Sequence, residues 1–217
     1  MCAPTRPLAH SLARSLHASP LVILGLPGAG LPGLVFATLR PEWSVTLLDS
    51  LNKRCTFNTA AAEAMGLGNV DILWSRAEEA GINPAYREQY DIATARAVAD
   101  VRTLAELCLP LIKVGGYWVA PKGPDPEAEV RDGLRAVEEL GGDEISIQRL
   151  GNKKNGENEG IEGIEGVEWI EGIEGIEENQ EEGTRDGPEF TVVTVFKARS
   201  TPSSYPRKAN AIKKRPL

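Results

Sequence analysis

The sequence predicts an α/β protein, a mainly parallel sheet of seven strands with helices on both faces. Two observations predict it. Short apolar runs bounded by Gly, Pro, Asn or Asp recur along the chain, and stretches of helix length with mixed polar and apolar residues separate them. That alternation is the pattern of βαβ units, because parallel neighbours in a sheet need a crossover and a helix is the usual one.

In chain order, LVILGL (21–26) reads as a buried first strand, followed by the turn Pro27-Gly28-Ala29-Gly30 and a short helix over 32–39. SVTLLD (44–49) is the second strand. Ser50 or Asn52 can cap the next helix, whose Phe57, Ala61, Ala64 and Met65 share a face, with Gly66 suited to its C-terminal end. NVDILW (69–74) and YDIATA (90–95) are strands three and four, and a helix covers about 100–110 up to Pro110. VGGYWVA (114–120) is strand five, 126–142 an exposed helix, and DEISIQRL (143–150) strand six. FTVVTVFKA (190–198) alternates as the seventh.

Between strands six and seven lies a low-complexity insert, residues 151–187, in which IEG triplets repeat with a period matching neither helix nor strand. Its acidity and glycine content predict disorder. The expected organisation is a leader (1–20), a core (21–150), the insert (151–187), the last strand (188–198) and a tail (199–217).

The net charge of −7 comes from the insert, which holds twelve acids and three bases. From Lys197 to Leu217 there are seven Lys or Arg and no acid, so an acidic whole does not exclude a nucleic-acid substrate. No uninterrupted apolar run approaches the roughly 20 residues of a membrane-spanning helix. Cys2, Cys55 and Cys108 form no CxxC pair and no His stands at ligand spacing, which argues against a disulfide scaffold or a metal site. The first acid is Glu42. An acid-free start with Arg, Ser and Ala has the composition of an organellar transit peptide, and a short disordered start fits it as well.

Gly28-Ala-Gly30-Leu-Pro-Gly33, after a strand and opening a helix, lets backbone approach a nucleotide. Asp49 ends the second strand, where an acid can accept from ribose hydroxyls. By themselves these two features fit nicotinamide-dependent dehydrogenases and S-adenosylmethionine (SAM) methyltransferases alike. Ser75-Arg76-Ala77-Glu78-Glu79 follows strand three, where such sheets border an adenine. Arg96 ends strand four beside the switch point of the sheet, and Lys122 ends strand five next to it.

The segments LPGAGLPGLVFA, RPEWSVTLLDSLNKRCTF, SRAEE, YREQYDIATARAVA and CLPLIKVGGYWVAPKGP, with the terminal YPR and KKRPL, resemble the bacterial GidB/RsmG family. The resemblance is dense over 28–148 and returns over 190–217. It implies a seven-stranded, Rossmann-like SAM-methyltransferase sheet and methylation of guanine N7 in small-subunit (16S-type) ribosomal RNA.

Position by position, the resemblance places Gly28, Gly30 and Leu31 around the methionine and ribose end of SAM, and Asp49 on the ribose. Ala77 and Glu78 would border the adenine, and Arg96 would line the cleft between cofactor and RNA. Lys122 and Arg96 would serve the reaction. Lys122, Arg207, Lys213, Lys214 and Arg215 would meet RNA. The partner would be small-subunit ribosomal RNA or an assembling subunit, with no membrane and a monomeric protein. The compartment would be an organelle, the chloroplast rather than the mitochondrion, if the leader is real, and the cytoplasm otherwise. Where the family's first strand ends in Asp-x-Gly, this chain has Leu24 and Leu26, so an RNA-binding homologue with weakened SAM binding is the alternative.

Overall fold

The computed structural model describes residues 20–24, 30–95, 99–150, 167–170 and 190–217. Its strands are β1 (Pro20–Leu24), β2 (Ser44–Asp49), β3 (Val70–Trp74), β4 (Tyr90–Ala95), β5 (Ile112–Lys122), β6 (Gly142–Leu150), β7 (Val167–Ile170) and β8 (Phe190–Lys197). The helices are α1 (Gly33–Leu39), α2 (Asn52–Ala64), α3 (Ala77–Ile82), α4 (Val101–Cys108), α5 (Glu127–Glu139) and α6 (Ala209–Lys214). The strands form one sheet in the order β3-β2-β1-β4-β5-β8-β6-β7. The first five are parallel neighbours, and β8 enters antiparallel between β5 and β6.

Side-chain alternation along β2 divides the core. Val45 and Leu47 pack with Leu34 and Ala37 of α1 and Ala62 of α2, whereas Leu48 belongs to the larger cluster built on α3, α4 and α5. Helices therefore cover both faces, as the sequence predicts.

Two expectations need correction. The sheet has eight strands, because Val167–Ile170, inside the acidic insert, pairs antiparallel with β6. Val-Glu-Trp-Ile interrupts the IEG triplets with β-branched and aromatic residues, and β6 offers an open edge for them to extend. The rest of the insert, and the leader up to residue 19, lie outside the described residues.

The second correction concerns α2. Its buried face is Cys55, Asn58 and Ala62, while Phe57, Ala64 and Met65 are exposed. Neither Ser50 nor Asn52 caps it: Leu51 is the N-cap, and no side chain bonds there. The C-terminal end follows expectation. Gly66 has φ +68°, and the amides of Gly66 and Leu67 bond the carbonyls of Glu63 and Ala62, satisfying the last turn.

The tail is tied down by a polar network that periodicity does not reveal. Lys197 is fully buried, and its ammonium donates to Glu88 Oε1 (2.8 Å), Leu109 O (2.6 Å) and Ile112 O (2.7 Å). That uses all three of its N–H groups. Arg87 donates to the carbonyls of Gly81, Thr201, Pro202 and Tyr205, clamping the segment that follows β8.

Burial alone would raise the Glu88 carboxyl, but hydrogen bonds from Lys197 and the Thr201 amide outweigh it and hold the group below the usual carboxylate value. Below that usual value the unfolded chain binds a proton that the folded chain does not. The stabilisation is thus present at neutral pH and is lost as pH falls through the folded value. Urea midpoints measured from neutral to acid pH should fall accordingly, and Glu88→Gln should flatten that acid-side slope.

Candidate functional site

Parallel strands bring their C-terminal ends to one edge of the sheet, and ligands in open α/β sheets bind outside that edge. The turns after β1, β2 and β3 carry Gly30, Leu31, Asp49, Ala77 and Glu78, and β5 ends there at Lys122. Of the residues expected at the site, Gly28 and Arg96 lie outside the described residues.

Asp49 is 5% exposed. Its Oδ1 accepts from the Leu51 amide at 2.8 Å, and its Oδ2 meets Arg54 Nη1 at 3.3 Å. A carboxylate can accept about four hydrogen bonds, so two sites remain for a vicinal diol. The turn around it is fixed from three sides. The Ser75 amide donates to Asp49 O, Cys55 Sγ donates to the same carbonyl, and the Trp74 indole N–H donates to Ser50 O at 3.2 Å. Burial and the neighbouring Asp49 charge push the Cys55 thiol up, so it stays neutral and acts as a donor.

Sequence reasoning missed two residues here. Leu51 and Trp74 flank Asp49 and remain 51% and 62% exposed. Large apolar side chains left in water beside a polar group suit the face of a purine. The available signal was a Leu two residues past the end of β2 and a Trp at the end of β3, positions where burial is not required.

Gly30 has φ +71°, and a Cβ there would lie 2.8 Å from Leu34 Cδ1. The α1 entrance thus requires glycine and holds the backbone tight against the helix. Ala77 begins α3, and Glu78 pairs with Arg76 at 3.5 Å. A glycine turn, a ribose-type acid with spare acceptors and an exposed apolar pair together fit an adenosine-bearing cofactor.

Lys122 is not open to solvent. Its side chain is 4% exposed, and Nζ donates to Glu129 Oε1 at 2.5 Å and to Ala99 O at 3.3 Å. Glu129 comes from the first turn of α5, where a carboxylate also meets the positive end of the helix.

Arg207, expected to neutralise RNA phosphate, has a partner within the fold: it wraps Glu106, which is fully buried, with Arg207 N and Nε reaching Oε1 at 2.8 Å and Nη2 reaching Oε2 at 2.6 Å. A carboxylate taken wholly out of water needs such a counter-charge, and the guanidinium supplies it bidentately. Lys213, Lys214 and Arg215 are exposed on and just after α6, which is anchored by buried Ile212. Because β8 runs antiparallel to β5, the tail leaves the sheet at the edge opposite Asp49 and Lys122.

This is the sheet of a methyltransferase fold. The SAM-dependent O-methyltransferase of Thermotoga maritima superposes with a TM-score of 0.54 at 13% identity, over 93% of this chain and 69% of that one. The family model for GidB, rRNA small subunit methyltransferase G, matches residues 24–157, and the chain belongs to that family. Ribosomal RNA small subunit methyltransferase G of Lactobacillus acidophilus is 37% identical over 190 residues, 88% of this chain and 66% of its own length. The protein of that name from Symbiobacterium thermophilum is 39% identical over 195 residues, 88% of this chain and 67% of its own length. The chain thus spans about two thirds of the length of the curated relatives it matches.

Proposed function

We propose that the protein transfers a methyl group from SAM to N7 of a guanine in small-subunit ribosomal RNA. The observation that carries the reading is the cofactor edge itself: Gly30 pressed against α1 and Asp49 with unused acceptors, in a chain of this family. Gly30, Leu31, Asp49, Leu51, Trp74, Ala77 and Glu78 are the described residues that would hold the cofactor. When bound, SAM supplies a methyl group on a sulfonium, already activated for transfer.

Guanine N7 carries a free lone pair, so no side chain need remove a proton before attack. The chain's task is then to align the two partners, exclude water and compensate the charge that develops on the purine. That task requires no His, and the described residues contain none, His10 and His17 lying outside them. Lys122, at the end of β5, is the residue the family resemblance assigns to the RNA side; its Nζ is held by Ala99 O and Glu129 in the free chain, and it would meet RNA by leaving Glu129. Lys213, Lys214 and Arg215 supply phosphate contacts distant from the chemistry.

The reading is tested by incubating the chain with SAM and unmodified small-subunit ribosomal RNA, then digesting the RNA to nucleosides for mass spectrometry. N7-methylguanosine is the expected product; its absence, with the cofactor shown to bind, would rule out this substrate. A companion variant separates roles. Lys122→Ala should depress methyl transfer far more than SAM affinity, and equal losses in turnover and titration would remove Lys122 from the RNA side.

A further inference from the structure

The half of the sheet edge beyond β4 carries groups that an adenosine-bearing cofactor at Asp49 does not use. β8 lies between β5 and β6, and both registers meet at Thr191: Lys122 stands opposite it on one side and Arg149 on the other. Residues directly opposite one another share a face of the sheet, so a single row across three strands reads Lys-Thr-Arg. Thr191 is fully buried, and its hydroxyl donates to Gly123 O at 2.6 Å, which fixes the row to the end of β5.

Each cation of the row meets an acid from the first turn of α5. Glu129 takes Lys122, and Glu127 takes Arg149. The Arg149 side chain is 35% exposed, and an ion pair open to water holds its partners only weakly. A phosphate, which a guanidinium binds bidentately, can therefore take the place of Glu127.

Phe190 stands one residue beyond Thr191, at the rim of the sheet, and is 60% exposed. Its face follows from strand alternation. Val119 packs against the cluster of α1 and pairs with Thr194, so Thr194, Val192 and Phe190 face the α1 side. Lys122 and Arg149 face the α5 side. A phenyl ring on one side of the rim and two cations on the other match a nucleotide strand, whose bases and phosphates also lie on opposite sides. Exposed aromatic and basic groups together are the pattern of single-strand binding.

We propose that the ends of β5, β8 and β6 form a track for unpaired RNA beside the target guanine, with Lys122 and Arg149 on phosphates and Phe190 stacked on a base. The inference rests on the RNA-substrate reading given above. Arg149 leaves Glu127 as Lys122 leaves Glu129, so the two acids keep the row neutral until RNA arrives. The bases then lie on the face covered by α1, the helix entered through Gly30.

The test is fluorescence anisotropy of the full chain with a fluorescein-labelled, unstructured oligoribonucleotide of small-subunit ribosomal RNA sequence, at several salt concentrations. Phe190→Ala should weaken binding about tenfold, within the range of base–aromatic stacking, and Phe190→Trp should retain it. Arg149→Gln should weaken binding and reduce the slope of log K against log salt by about 0.7, the share of one phosphate on a single strand. Glu127→Gln should tighten binding, because no carboxylate has to be displaced from Arg149. SAM affinity should stay at the wild-type value in all four variants.

Unchanged RNA affinity in either Phe190→Ala or Arg149→Gln overturns the proposal. So does weaker RNA binding by Glu127→Gln, or a loss of SAM affinity equal to the loss of RNA affinity, since either means that these residues only hold the sheet edge in shape. A wild-type chain that binds no RNA defeats the RNA-substrate reading first. Wild-type binding with indifferent variants defeats this inference alone.

Discussion

Arg207→Met is expected to destabilise the fold by about 3 kcal/mol, the lower end of the cost of breaking a buried ion pair. The reason lies in Glu106, whose side chain is fully buried and whose two oxygens both depend on Arg207. Removing the guanidinium leaves a fully buried carboxylate with only the Arg207 amide, of its Arg207 donors, still bonded to it. Arg207 is itself 25% exposed, so water can partly replace it, which is why the lower end applies.

Urea unfolding measures the loss. The double variant Glu106→Met with Arg207→Met should recover much of it, because the charge and its partner leave together. If Arg207 acted on RNA phosphate instead, the single variant would keep its urea midpoint and lose RNA affinity.

Asp49→Asn should weaken SAM binding by about 3 kcal/mol, on the order of a hundredfold in Kd, since hydrogen bonds to a charged acceptor contribute about 1.5–3 kcal/mol each. The substitution keeps the shape of the side chain and an oxygen for the Leu51 amide, so the turn after β2 should survive. It removes the charge and half of the acceptor capacity needed for two ribose hydroxyls. Titration of the variant with SAM measures the change. Stacking on Leu51 and Trp74 would persist, so Trp74 fluorescence should still respond at higher cofactor concentration. A variant that binds as tightly as wild type would place the ribose elsewhere.

Much of the layout was legible because strand signals are local. Apolar runs at 44–49 and 90–95 stand where β2 and β4 form, and β8 shows its alternation directly, with Val193 and Val195 buried. The site edge was legible for the same reason, since Gly30, Asp49 and Lys122 are all tied to strand ends. What the sequence concealed depends on distance along the chain. Glu106 and Arg207 are 101 residues apart, as the tail folds back across α4, and no spacing rule links them.

The face of α2 was misread because apolar residues lie all round it, and Phe57 and Met65 turned out exposed while Asn58 is buried. Periodicity selects a face only when one face is distinct. The strand in the insert was hidden by composition: an acidic, glycine-rich background argues for disorder, whereas four residues with strand preference beside the open edge of β6 suffice to pair.

The central claim is that the edge formed by Gly30, Asp49, Leu51 and Trp74 holds SAM. Calorimetric titration of the chain with SAM tests it most directly. Saturable binding in the micromolar range, with one site per chain and a loss in Asp49→Asn, is the predicted result. No saturable binding at millimolar cofactor, by a chain that is folded by its melting curve, would contradict it.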